Sequence, residues 1–181
     1  LEMDQPGVTV KPIRLISGNS PFCETFLDNA VARRDDLVGE LNKGWTVGKR
    51  LLQYERSASS VRTKKKTKSS NPYATIARTY SGESQGRLTD TDARERITRQ
   101  TMLEKSLQLT VQRVAAESQS GKAPGATTSI FKLVGSTVAK ESASLKSELR
   151  GTQGFGWEGE TFTDEELEAT EGWLRDRAVT I

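Results

Sequence analysis

Glu55 lies in the run Leu51-Leu52-Gln53-Tyr54-Glu55-Arg56-Ser57. On a helix its neighbours three and four residues away are Leu51, Leu52, Ala58 and Ser59, none of them basic. The usual Glu–Lys support across a turn is therefore missing. A carboxylate set beside two leucines is partly desolvated, which raises its pKa and suits it to abstract a proton. The competing reading is a half-exposed carboxylate paired with another helix, because structural ion pairs perturb pKa values too. A second cluster, Gly154-Phe155-Gly156-Trp157-Glu158-Gly159, spells G-x-G-x-x-G. A dinucleotide fingerprint needs a strand before that pattern and a helix opening inside it. Here a helical pattern precedes it and the next helix opens only at Thr163, which favours a helix-to-helix loop. Glycines in such a loop still let backbone N–H groups come close to a phosphate. A third cluster, Arg62, Lys64, Lys65, Lys66 and Lys68, could touch nucleic acid or an anionic surface. No aromatic residues interleave with it and no nucleic-acid signature accompanies it, so it reads as a solvated charge run. A nucleic-acid partner is not expected.

Composition removes other chemistries. The chain has no His, which excludes a Ser-His-Asp triad, a Cys-His dyad and an HExxH zinc site within these residues. One cysteine, Cys23, allows no intrachain disulfide and no Cys-rich zinc site, and fits a reducing, cytoplasmic setting. No run of about 18 apolar residues is present, so no membrane-spanning helix is expected. Leu, Ile, Val and Phe together are 38 of 181 residues, 21%, and 27 basic residues against 24 acidic leave a net charge of +3. That is a foldable chain with a thin core. It has no initiator Met and no secretory signal at its start, and it stops at Ile181 inside a helical pattern. The expectation is a piece of a longer protein; the alternative is a trimmed chain with intact function.

The elements that position these residues change in type along the chain. Val8-Thr9-Val10-Lys11-Pro12-Ile13 and Phe22-Cys23-Glu24-Thr25-Phe26-Leu27 read as strands bounded by Pro, Gly and Asx turns. Val31 begins a further short extended piece. From Gly44 the period is helical: Val47, Leu51, Tyr54 and Ala58 share one face, and Asn42 is the expected N-cap. Helices are expected over 73–80, over 90–117 with Ala93, Ile97, Leu103, Leu107, Val111 and Val114 inward, and over 127–150. The last has the stripe Ile130, Leu133, Val134, Thr137, Val138, Leu145 and Leu149. Thr163-Asp164-Glu165-Glu166 is a capping box for one more helix. The fold class expected is mainly α: an up-down helical bundle preceded by a few strands of a truncated β-domain.

These runs resemble the acyl-CoA dehydrogenases. Met3-Asp4-Gln5-Pro6-Gly7-Val8-Thr9-Val10-Lys11-Pro12-Ile13, then Phe22 to Asn29, then Leu37 to Trp45, are similar to the end of that family's middle β-domain running into its C-terminal helical domain. Leu51 to Ser57 resembles the first helix of that domain in a bacterial subtype. Ala123-Pro124-Gly125 and Ser129 to Ser136 resemble a later helix. The resemblance implies residues 1–40 as the end of the β-domain and 41–181 as a helical domain incomplete at its C-terminus.

It also implies a function. The family's flavoproteins use FAD to oxidise an acyl-CoA thioester to its 2,3-enoyl form. A carboxylate removes the α-proton as hydride leaves the β-carbon for the flavin N5. Glu55 matches one of the family's two base positions; the other would follow Ile181. Arg56 matches the arginine that orders this helix or the site. Gln53 stands where many members carry an Asp facing the CoA moiety. Gln153, Gly154 and Gly156 approximate a Gln-x-x-Gly-Gly-x-Gly loop near the flavin, and Arg78 to Gly82 departs from the family's Arg-x-x-Phe-Gly. The implied partners are acyl-CoA, an electron-transfer flavoprotein and copies of the chain itself in a homo-oligomer, dimer or tetramer. The 181 residues alone are expected neither to retain flavin nor to turn over acyl-CoA. The alternative is a non-catalytic helical oligomerisation module related to the family.

Overall fold

The computed structural model describes residues 1–61, 71–120 and 130–179, with side chains except at 55–61 and 118. The basic run at Arg62 to Lys68 and the run from Ala123 to Ser129 lie outside the described residues. Two compact units are present, Leu1–Ser60 and Val61–Ile181. The described architecture is mainly helical with a few short strands.

In the first unit, β1 (Val8–Ile13) and β2 (Phe22–Leu27) form an antiparallel ribbon, in register from Val8 opposite Leu27 to Ile13 opposite Phe22. Pro12 sits opposite Cys23. It lacks an N–H to give the ladder, and a two-stranded ribbon consists of edges where that is tolerated. Gly7 (φ +91°) enters the ribbon where a Cβ would lie 2.2 Å from the Asp28 carbonyl oxygen, so only glycine lets the Asp28 N–H reach the Gly7 carbonyl at 2.8 Å. Nearly every ribbon residue is exposed on both faces, as expected of two strands that cannot form a core by themselves. The extended piece expected at Val31 is not a strand; the chain passes through a 3₁₀ turn at Arg34–Asp36. Helix α1 spans Gly44–Val61. Asn42 does not cap it directly. It lies two residues upstream with φ +64°, a left-handed turn conformation that asparagine tolerates well.

The second unit holds α2 (Pro72–Ser81), a small hairpin of β3 (Glu83–Ser84) and β4 (Arg87–Leu88), α3 (Thr91–Gln119), α4 (Phe131–Glu148) and α5 (Asp164–Arg175). The Asn71 side chain accepts from the Tyr73 and Ala74 N–H groups, and Pro72 takes the first turn, where its missing N–H costs nothing. The core gathers Tyr73, Ile76 and Ala77 from α2, Ala93 and Ile97 from α3, and Leu145 and Leu149 from α4, with Leu88 against them. α4 packs on both α3 and α5.

The stripes expected for α3 and α4 are only partly inward. Ala93 and Ile97 are buried, whereas Leu107, Val111 and Val114 are half-buried. On α4 the buried set is Ser136, Val138, Ala143, Leu145 and Ser147, and Leu133 is 68% exposed. Ser136 and Ser147 break the apolar pattern with hydroxyls that are hydrogen-bonded, Ser136 Oγ donating to the Leu133 carbonyl at 3.0 Å. Ser147 turns its hydroxyl to the Gly154 carbonyl at 2.7 Å.

A polar network completes this interior. The Tyr73 hydroxyl bonds both Glu104 on α3 and Ser142 on α4. Buried Gln100 donates to the Val138 carbonyl at 3.1 Å and to Glu104 at 3.2 Å. Burial, with the Glu104 carboxylate beside it, pushes the Tyr73 hydroxyl up to about 12. It is therefore a fixed donor at neutral pH.

Candidate functional site

The sequence-expected residues fall into two groups, one in each unit. In the first unit, Gln53, Glu55 and Arg56 lie on α1. Gln53 is exposed and accepts from Arg50 Nη1 at 3.2 Å. The Arg50 guanidinium also lies 5.0 Å from the centre of the Tyr54 ring, a cation–π arrangement that stiffens this turn. The side chains of Glu55 and Arg56 lie outside the described residues. Leu51, expected to desolvate Glu55, is itself 66% exposed, and Leu52 is exposed as well.

In the second unit, residues 151–159 connect α4 to α5. Gly151 (φ +59°) turns the chain out of α4 into a 3₁₀ turn, Gly151–Phe155. At Gly154 a Cβ would stand 2.0 Å from the Ser147 carbonyl oxygen, and at Gly156 one would stand 2.5 Å from the Phe162 ring. Gly154 brings the loop against the backbone of α4, and Gly156 leaves room for the Phe162 ring. The Gly154 carbonyl accepts from Ser147 Oγ at 2.7 Å and Thr170 Oγ1 at 3.2 Å. A helix and a 3₁₀ turn precede this loop, not a strand, so the G-x-G-x-x-G pattern here is not a dinucleotide fingerprint. Gln153 is different. Its N–H donates to the Arg150 carbonyl at 3.2 Å, while its side-chain Oε1 is buried with no hydrogen-bond partner.

Around the loop lies a cluster that sequence reasoning missed. The Tyr80 hydroxyl, at the end of α2, donates to Glu166 Oε1 at 2.6 Å across 86 residues. The other carboxylate oxygen, Glu166 Oε2, accepts from the Thr163 N–H at 2.7 Å, closing the capping box. The capping box was legible from spacing; its second use by Tyr80 was not, because no local pattern links residues so far apart. Arg150 is buried and bonds Glu165 Oε1 at 2.7 Å.

The Tyr80 donor, then the Thr163 backbone N–H, hold the Glu166 carboxyl below its ordinary value of 4.5. The same bond raises Tyr80 above its ordinary 10.0. The sign follows by linkage. Glu166 adds stability at pH above 4.5 that is lost as pH falls through its lower folded value. Tyr80 adds stability below 10.0 that is lost as pH rises through its higher folded value. Tyr80→Phe should therefore move the acid midpoint of unfolding to higher pH and lessen the alkaline loss, to which the raised Tyr73 still contributes. Thermal melts across the pH range check this, and an unchanged acid midpoint would refute it.

Among the described residues no group of three or more His, Cys, Asp or Glu could hold a metal ion, and no helix is long and apolar enough to cross a membrane.

The elements define a mainly helical domain preceded by an antiparallel ribbon. A family model described as the acyl-CoA dehydrogenase C-terminal domain matches residues 42–180. That match covers most of the sequence, and the chain belongs to the acyl-CoA dehydrogenase family. It is 31% identical over 135 residues to acyl-CoA dehydrogenase FadE34 of Mycobacterium tuberculosis, covering 75% of this chain and 18% of that protein. Over 59 residues it is 39% identical to acyl-CoA dehydrogenase IpdE1 of Mycolicibacterium smegmatis, covering 33% of this chain and 15% of that protein. An acyl-CoA dehydrogenase from Geobacillus kaustophilus has a similar fold, with a TM-score of 0.71 at 21% identity, over 99% of this chain and 46% of that one. The ChsE4–ChsE5 complex from Mycobacterium tuberculosis matches at 0.70 and 17% identity, over 100% and 46%. The chain thus spans less than a fifth of these curated relatives and about half of the solved chains.

Proposed function

We propose that these residues are the C-terminal part of an FAD-dependent acyl-CoA dehydrogenase. In this reading residues 1–40 end its middle β-domain and residues 41–181 belong to its helical domain. The observation that carries the reading is the family match over residues 42–180. The substrate is an acyl-CoA thioester and the reaction is α,β-desaturation.

Glu55 is the base. Its carboxylate takes the α-proton, so the α C–H bond breaks, a carboxyl O–H forms, and the electron pair stays to make the new double bond. FAD, when bound, supplies the two-electron acceptor, taking the β-hydrogen as hydride at N5. The base needs a raised pKa, and Leu51 and Leu52 are too exposed to provide it alone. The covering surface in this proposal is the acyl chain together with the rest of the enzyme. Arg56 orders the turn that carries the base, and Gln53 faces the CoA moiety. Gln153 holds the cofactor through its amide, Gly154 keeps its loop seated on α4 and α5, and Gly156 lets the loop close on the Phe162 ring.

The electron acceptor is an electron-transfer flavoprotein, the assembly a homodimer or homotetramer, and the setting cytoplasmic. The test is to purify the intact polypeptide that carries these residues and measure released FAD. FAD near stoichiometry, reoxidised faster by an electron-transfer flavoprotein than by oxygen, supports the reading. Protein that neither retains nor takes up FAD overturns it.

A further inference from the structure

Residues 154–157 read Gly-Phe-Gly-Trp, and the fold buries the two glycines and exposes the two rings. Phe155 is 73% exposed and Trp157 49%. A single apolar residue on a surface is ordinary, but this alternation inverts the usual preference of large apolar side chains for the interior. The packing accounts for it. Gly154 sits against the Ser147 carbonyl, and the Phe162 ring fills the space at Gly156, so the inward side of this segment has no room for a second ring. Charge accompanies the rings. From 151 to 171 the chain carries seven acidic residues and no lysine or arginine, and Glu158, Glu160 and Asp164 are exposed. Exposed aromatics rimmed by charged residues have the make-up of a protein contact.

A complementary surface lies in the same unit. α3 carries an open groove of about 680 Å³ on its outer face. Met102, 66% exposed, and Leu103 supply its apolar lining, and Arg94 and Arg99 stand over it against a single carboxylate, Glu95. Arg99 and Leu103 also line a neighbouring cleft of about 470 Å³ between α3 and α4, which adds Lys140 and Arg177. Among the described residues the side chains of Arg94, Arg99 and Lys140 enter no ion pair, whereas Arg96 is held by Asp92 and Glu148. The groove thus offers apolar side chains and unpaired cations, and the loop offers rings and an excess of carboxylates.

We propose that this loop and this groove are the two halves of one contact between copies of the chain. Phe155 and Trp157 of one copy seat on Met102 and Leu103 of a second, with Glu158 and Glu160 beside Arg94 and Arg99. The proposal rests on the reading that the protein is a homo-oligomer, and it names where the copies meet. A two-fold pair makes the contact twice, each copy's loop in the other's groove. The packing at Gly154 and Gly156 sets the rings before association, which lowers the ordering cost of binding. The rings supply the buried area, and the opposed charges fix the register.

The test uses the intact polypeptide and reads the mass of its assembly by light scattering and sedimentation. Far-UV circular dichroism confirms that each variant is folded. Two charge reversals are made, Arg94→Glu with Arg99→Glu in the groove, and Glu158→Arg with Glu160→Arg on the loop. Each should yield a smaller assembly, with dissociation constants raised about a hundredfold, the scale of like charges brought together at an interface. Mixed in equal amounts, the two reversed proteins should regain the original mass, because each reversed patch meets a complementary one on the other protein. Trp157→Ala should raise the dissociation constant about thirtyfold, the scale of an aromatic anchor. If the unsubstituted protein assembles and the folded reversals leave its mass unaltered, or if the mixture does not recover it, the proposal is overturned and the homo-oligomer reading stands. If the unsubstituted protein is a monomer, the homo-oligomer reading fails and the proposal fails with it.

Discussion

Glu55→Gln in the intact enzyme should lower turnover by about 10²- to 10⁴-fold, the range that a positioned acid–base group contributes. The substitution keeps the shape and removes the acceptor of the α-proton. FAD binding should survive, because the substitution keeps the size and shape of the side chain. Acyl-CoA affinity should change little, since the lost interaction belongs to the transition state and not to the bound thioester. The rate limb that reports an ionised base should vanish from the pH profile of the residual activity. Stopped-flow reduction of the flavin by acyl-CoA separates this step from reoxidation. Unchanged reduction would move the base elsewhere, and the family's second base position, after Ile181, would become the assignment.

Gly154→Ala should destabilise the second unit by about 3 kcal/mol, combining backbone overpacking with weakened hydrogen bonds. A Cβ there would lie 2.0 Å from the Ser147 carbonyl oxygen and 2.8 Å from its carbon. Both are backbone atoms of α4, so no flexible side chain can yield. To make room, the loop must lift and stretch the bonds from Ser147 Oγ and Thr170 Oγ1 to the Gly154 carbonyl. Gly172→Ala is the control. It lies inside α5 with nothing within 4 Å of the new Cβ, and alanine should stabilise the helix by about 1 kcal/mol. Denaturant titration of both variants reads the contrast. Equal effects at the two glycines would show that close approach is not what Gly154 provides.

The two glycines mark the limit of what could be read from the chain alone. A helix-to-helix loop was legible, because the flanking periods were helical and the Thr163 capping box is a local pattern. Which glycines carry the close contacts was not, because Ser147 and Phe162 press on them through tertiary packing. The same division recurs elsewhere. Strands β1 and β2, the helices and the core residues Ala93, Ile97, Leu145 and Leu149 follow from period and turn chemistry. The exposure of Leu133 does not, since a stripe shows which residues share a face and not how much of that face is covered. Asn42 has the type and position of a cap, and asparagine's tolerance of a positive φ puts it in a turn instead. Tyr80 joins Glu166, and Tyr73 joins Glu104 and Ser142. Both clusters depend on side chains meeting across long separations, which no spacing rule encodes. For Glu55 the spacing of its helical neighbours was readable, but the exposure of Leu51 was not.

The central claim is tested most directly by one anaerobic half-reaction. The intact, FAD-loaded protein is mixed with a saturated acyl-CoA and its visible flavin absorbance is followed, with the thioester products analysed afterwards. The account predicts loss of that absorbance together with one 2,3-enoyl-CoA for each flavin reduced. A flavin that stays oxidised across acyl-CoAs of differing chain length and branching, with no enoyl product, would contradict it.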